Sequence, residues 1–92
     1  MALPTIEAFT AQALAEGFDE VLERQWPPLA VAGEHTHPFA VKAIVVQGEM
    51  WLAVDGRTQH LQAGDRFTLA RDIPHSERYG SAGATYWVAR RN

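Results

Sequence analysis

Two histidines stand one residue apart in the segment Gly33-Glu34-His35-Thr36-His37-Pro38. In an extended strand that spacing projects both imidazoles from one face, about 7 Å apart along the backbone, which suits a shared metal ion. A third histidine, His75, follows a turn-rich stretch much later in the chain. It completes a ligand set only if the fold returns it to the first two. The chain has no cysteine, so thiolate zinc sites and disulfides are excluded and any ion must be held by nitrogen and oxygen. The fourth histidine, His60, sits among Thr58, Gln59 and Gln62 and reads as solvent-facing.

Other chemistries are missing from the sequence. No arrangement of a serine or cysteine nucleophile and no Gly-rich phosphate loop is present. The net charge is −3, and there is no basic cluster beyond Arg90-Arg91, so the electrostatic footprint of a nucleic-acid binder is absent. That arginine pair reads as a solvated end of the chain, or as a partner for acidic groups on a neighbouring copy. No window reaches the length of a membrane span, and the N-terminus lacks a basic region followed by an apolar run. The expectation is a soluble cytoplasmic protein with no membrane partner. Ninety-two residues, 47% of them hydrophobic, make one domain over 1–92 with a single core.

The elements that must position the histidines follow from periodicity. Thr5 is a natural N-cap for a helix over 5–16, with Glu7 in the first turn and Gly17 as the stop. Ile6, Phe9, Ala13 and Leu14 fall on one side, so this helix is expected to cover one side or end of the domain. From Phe18 the pattern turns β. Strands are expected over 21–26, 29–32, 39–47, 50–54, 57–62, 66–69, 75–79 and 84–89, with turns at 47–49, 55–56, 63–65 and 80–83. Asp55-Gly56 is the strongest hairpin signal, because both turn positions need positive φ. Pro27-Pro28 push the first strand to an edge. Short strands at this spacing, with no helix after residue 17, define an all-β sandwich or barrel over 18–90 and exclude a parallel α/β sheet.

At this point the chain resembles the cupin superfamily, small jelly-roll β-barrels, and among them the compact single-domain bacterial cupins. A first cupin motif carries His-x-His, then an acid, then a glycine; here these are His35-Thr36-His37, Lys42 and Gly48, so the acid is replaced by lysine. A second motif begins at a glycine and ends with histidine and asparagine; here Gly64-Asp65-Arg66, Ala70, Asp72, His75 and Tyr79 stand in those places, with Pro74 directly before the histidine. The Asp55-Gly56 hairpin lies between the motifs, as in the family. The resemblance implies that the strand of His75 lies beside the His35 segment, so that three imidazoles converge inside the barrel. Such a set suits Zn, Fe, Ni, Cu or Mn and leaves positions for water or substrate.

The departure at Lys42 shapes the expected site. An ammonium about 5 Å from a divalent ion would be repelled by roughly 6–7 kcal/mol at an effective dielectric of 20. Lys42 therefore points away, is neutral, or is compensated by a carboxylate. Glu77, on the same strand face as His75, is the candidate partner of Lys42 or a fourth ligand. In a metal-free alternative Lys42 itself supplies the positive charge of the cavity. Tyr79 shares the parity of His75 and is a candidate to reach a bound ligand; Phe39 and Phe67, with Met50, Trp51 and Trp87, are candidates to line the pocket. Three functions compete: a metal-dependent enzyme acting on a small anionic metabolite, a non-catalytic small-molecule-binding barrel, and a metal-free barrel. A homodimer is expected, with the segment 18–26 as its edge.

Overall fold

The chain order is α1 (Ile6–Ala15), β1 (Glu20–Trp26), β2 (Val31–His35), β3 (Ala40–Val54), β4 (Arg57–Gln62), β5 (Arg66–Leu69) and β6 (His75–Arg91). These elements come from a computed structural model that describes residues 3–92. β3 and β6 are long, antiparallel to each other and shared between two layers. In one layer the order is β5, the first half of β3, the second half of β6, then β1. In the other it is β4, the second half of β3, the first half of β6, then β2. This is the expected all-β jelly roll with one short helix. Asp55 (φ 52°) and Gly56 (φ 76°) make the β3–β4 hairpin in the conformation their types favour.

Two expected turns are corrected. Residues 47–49 and 80–83 do not reverse the chain; each lies within a continuous bent strand. Gly48 pairs with Ala84, and the next register pair joins Met50 to Tyr79, so Glu49 alone faces the four residues 80–83. Glycine permits a bend as readily as a turn, and the pairing partner decides between them. Because β6 offers a ladder on both sides of the bend, β3 continues instead of folding back. The two strands approach so closely here that a Cβ on Gly48 would overlap the carbonyl oxygen of Gly83.

The main core fills the space between the layers, with Met50 and Leu52 almost wholly buried among Val45, Phe67 and Tyr86. Side chains of this size each contribute about 1.5–3 kcal/mol when removed from water. A second cluster lies on the outer face of the first layer, where Phe9 and Ala13 of α1 pack on Ile44 and Ala89. Thr5 caps the helix by accepting the Ala8 N–H at 3.1 Å, and Gly17 (φ 94°) ends it. Ile6 and Leu14, expected on the buried side, are exposed. The sheet touches α1 along the narrow Phe9/Ala13 stripe, one turn apart, and Ile6 and Leu14 fall outside that stripe. Trp51 and Trp87 do not line the cavity beside the histidines: Trp87 packs beside Phe9 on this outer face, and Trp51 lies between Arg78 and His60 on the outer face of the other layer. No helix among the described residues is long and apolar enough to cross a membrane.

Replacing Gly48 with alanine should lower the unfolding free energy by about 2–5 kcal/mol, combining the left-handed backbone with steric overlap. Gly56→Ala, at the same φ but in open space, should lose only about 1–2 kcal/mol. Urea denaturation of the two variants checks the difference.

Candidate metal centre

β2 and β6 run antiparallel with His35 opposite His75 and Ala32 opposite Glu77. His37 lies just beyond the end of β2, and its carbonyl accepts the Asp72 N–H at 2.8 Å, tying this loop to the segment that leads into β6. The three rings gather with centroid separations of 4.8 Å (His35 to His37), 4.3 Å (His35 to His75) and 5.1 Å (His37 to His75). Each offers a nitrogen, and these atoms lie within 4.8 Å of one another. The three are therefore close enough to bind one metal ion.

Hydrogen bonding fixes two of the tautomers. Nδ1 of His35 lies 2.6 Å from the Gly33 carbonyl oxygen, and Nδ1 of His75 lies 2.9 Å from that of Ile73. A carbonyl can only accept, so both Nδ1 atoms carry a proton, and in the neutral ring that leaves the lone pair on Nε2. Nε2 of His75 is buried with no hydrogen-bond partner. An unsatisfied buried group of this kind costs about 1–3 kcal/mol unless a ligand engages it. Backbone carbonyls that orient ligating imidazoles in this way are typical of metal sites. The donor set thus fits a divalent ion.

Glu77 is 8% exposed, with Oε1 3.8 Å from Nε2 of His75 and Oε2 3.9 Å from Nε2 of His35. Two donors about 2.1 Å from one ion lie at most about 4.2 Å apart, so these separations are compatible with a common ion. Burial pushes the Glu77 carboxyl up from its ordinary range, against the pull of His75 and His35. His37 is pushed down by burial and by the neighbouring His35 and His75. Its ring stacks on Phe39 at 4.9 Å, and Phe39 and Phe67 both line the cavity.

Position settles two sequence expectations: of the alternatives for Lys42 the outward one holds and the roles at the metal or in the cavity are corrected, and the expected role of Tyr79 is corrected. Lys42 is on the opposite face of β3 from the core residues Val41 and Ala43, and its Nζ donates to Oε1 of Glu16 at 2.6 Å. It is neither near the histidines nor the charge of the cavity; the carboxylate that compensates it comes from the end of the helix. Tyr79 is not among the cavity residues. Its ring stacks on Trp26 at 4.9 Å within the core, and burial beside Tyr86 raises its hydroxyl pKa. Tyr86 faces the cavity instead. His60 is exposed, stacked on Trp51 and 3.1 Å from Glu49, away from the other three.

The sequence reading missed Arg24 and Arg90, both of which line the cavity. The signal was periodicity: Arg90 follows Tyr86 and Val88 at alternate positions of β6, and Arg24 lies between Leu22 and Trp26 in β1. Reading Arg90-Arg91 as a solvated end ignored that alternation. Only Arg91 turns outward, donating to the Glu16 carbonyl at 2.8 Å.

A jelly roll that gathers histidines from its second and last strands on its inner face is a cupin. Residues 17–90 match the AraC-like ligand binding domain, and the chain belongs to that family. No curated protein matches the sequence. Among solved structures the fold is similar to one described as crystal structures of the DMSP lyases RdDddP and RnDddQII, with a TM-score of 0.73 and 20% identity over 78% of this chain and 37% of that one. An RmlC-like cupin from Shewanella frigidimarina has a TM-score of 0.68 and 24% identity, covering 78% of this chain and 65% of that one. A predicted oxalate decarboxylase from Thermotoga maritima has a TM-score of 0.70 and 18% identity, covering 87% and 71%. The chain spans less than two thirds of the first two structures.

The Lys42–Glu16 pair carries a pH dependence. Its hydrogen bond and charge hold the Glu16 carboxyl below its usual 4.5. A lowered folded-state pKa contributes stability above 4.5 that is lost as the pH falls through the lower folded value. Lys42→Met should therefore melt below wild type at neutral pH, with the gap closing on acidification below 4.5. Thermal melts across that range check it.

Proposed function

We propose that His35, His37 and His75 hold one divalent transition ion, with Glu77 as fourth ligand or as the acidic group beside it, and that the site binds or transforms a small anionic metabolite. The single observation that carries this reading is the buried, unpartnered Nε2 of His75 facing two further histidines and a carboxylate. Bound there, the ion would act as a Lewis acid, with Zn, Fe, Ni, Cu and Mn all compatible with nitrogen and oxygen donors. The chain's own residues set the rest. Gly33 and Ile73 carbonyls hold two imidazoles in the ligating tautomer, Phe39 and Phe67 keep the wall apolar, and Glu77 offsets part of the ion's charge.

Membership of a family of ligand-binding domains supports a second reading, in which the same site captures its ligand without turnover. The named neighbours include lyases and a predicted decarboxylase, which supports catalysis. We retain the homodimer within this proposal, with the outer edge of β1, unpaired among the described residues, as the contact.

Protein purified without added metal should contain a stoichiometric transition ion, and His75→Ala should lose it. Equal content in the variant would sink the metal reading. Glu77→Gln should bind the ion about 10–100-fold more weakly; unchanged affinity, measured by chelator competition, would remove Glu77 from the ligand set.

A further inference from the structure

The cavity beside the histidines has a volume of about 320 Å³, and its lining also includes two arginines from different strands. Arg24 comes from β1 and Arg90 from β6, which pair with each other in the same layer. Phe39 and Trp26 position the two cations: the Arg90 guanidinium lies 4.5 Å from the Phe39 ring centroid, and that of Arg24 lies 5.5 Å from that of Trp26. Neither makes a salt bridge among the described residues. Nε of Arg90 is buried with no hydrogen-bond partner. A buried guanidinium donor without an acceptor is as costly as the orphaned imidazole nitrogen, and its natural partner is a planar oxyanion that takes two parallel N–H bonds.

We infer that Arg90 and Arg24 form a carboxylate clamp, so that the ligand is a small carboxylic acid whose second oxygen donor faces the histidine end of the cavity. The inference rests on the proposed metal site for the role of the second donor, but the clamp itself stands on the two arginines. Phe39 links the arginines to the histidines, since the Arg90 guanidinium lies over its ring and that ring stacks on His37 at 4.9 Å. A neutral diol or ester of the same size satisfies the imidazole end and leaves both guanidinium groups unpaired, and is discriminated against on that ground.

The test is calorimetric titration of the full chain, as purified and after chelation, with glycolate, pyruvate and malonate, and with ethylene glycol as the neutral control. At least one acid should bind, with ethylene glycol at least about tenfold weaker. Arg90→Gln and Arg24→Gln should each weaken the acid at least about tenfold while leaving metal content and ethylene glycol binding unchanged. Arg90→Lys, which keeps the charge and loses the fork, should fall between wild type and Arg90→Gln. Should Arg90→Gln fail to fold, Arg24→Gln at the exposed rim decides the question. Acid binding that is equal in wild type and the arginine variants overturns the clamp, as does failure of all three acids to bind either form. Absence of metal with arginine-dependent acid binding overturns the metal reading and sustains the clamp.

Discussion

The close crossing of β3 and β6 at Gly48 and Gly83 is the constraint from which the rest of the structure follows. Both glycines have positive φ, and a Cβ at either would overlap backbone: at Gly48 the Gly83 carbonyl, at Gly83 the Trp26 carbonyl. Only unbranched backbone lets the two strands bend together and pass from one layer to the other. The bend aligns both halves of the sandwich core, provides the ladder on which β2 docks, and so sets His35 opposite His75. The histidine cluster is thus a product of strand geometry far from any histidine.

The cavity lining carries charges of both signs. A buried carboxylate, three imidazoles and two guanidinium groups share it. Glu77 and the arginines stay apart, without direct ion pairs among the described residues, although salt bridges inside a small domain would satisfy all three groups. Burial raises the cost of leaving them separate. The absence of pairing is understandable if each has its own partner, a cation for the carboxylate and an anion for the arginines.

Much of the fold was legible in the chain. Alternating hydrophobic strands, the Asp55-Gly56 hairpin, the Thr5 cap and the Gly17 stop depend on local sequence, and the structure has them. The histidine pair was legible because two like residues at alternate positions share a face without reference to the fold. Less accessible were features set by partner strands. Glycine at 48, 80 and 83 is consistent with a reversal or a bend, and only the pairing of β6 selects the bend. For Lys42 the sequence left open whether it points away from the histidines or is compensated beside them, and the outward choice depends on Glu16 at the end of a helix, 26 residues away. Leu14 and Ile6 matched a helical stripe whose true width is set by the sheet beneath it.

The four-residue bulge at 80–83 also acts as a phase inverter. Before it, odd-numbered residues of β6 face inward, as His75, Glu77 and Tyr79 do; after it, even-numbered ones do, as Ala84, Tyr86 and Val88 show. Had the alternation run through unbroken, Trp87 and Arg91 would point into the sandwich and Arg90 into solvent. One strand therefore presents an acid and an imidazole at its start and a guanidinium at its end to the same enclosed space, although simple counting along the sequence assigns them to opposite sides. The parity change turns a terminal Arg-Arg pair into two residues with unrelated surroundings, one on the cavity wall and one at the protein's outer edge.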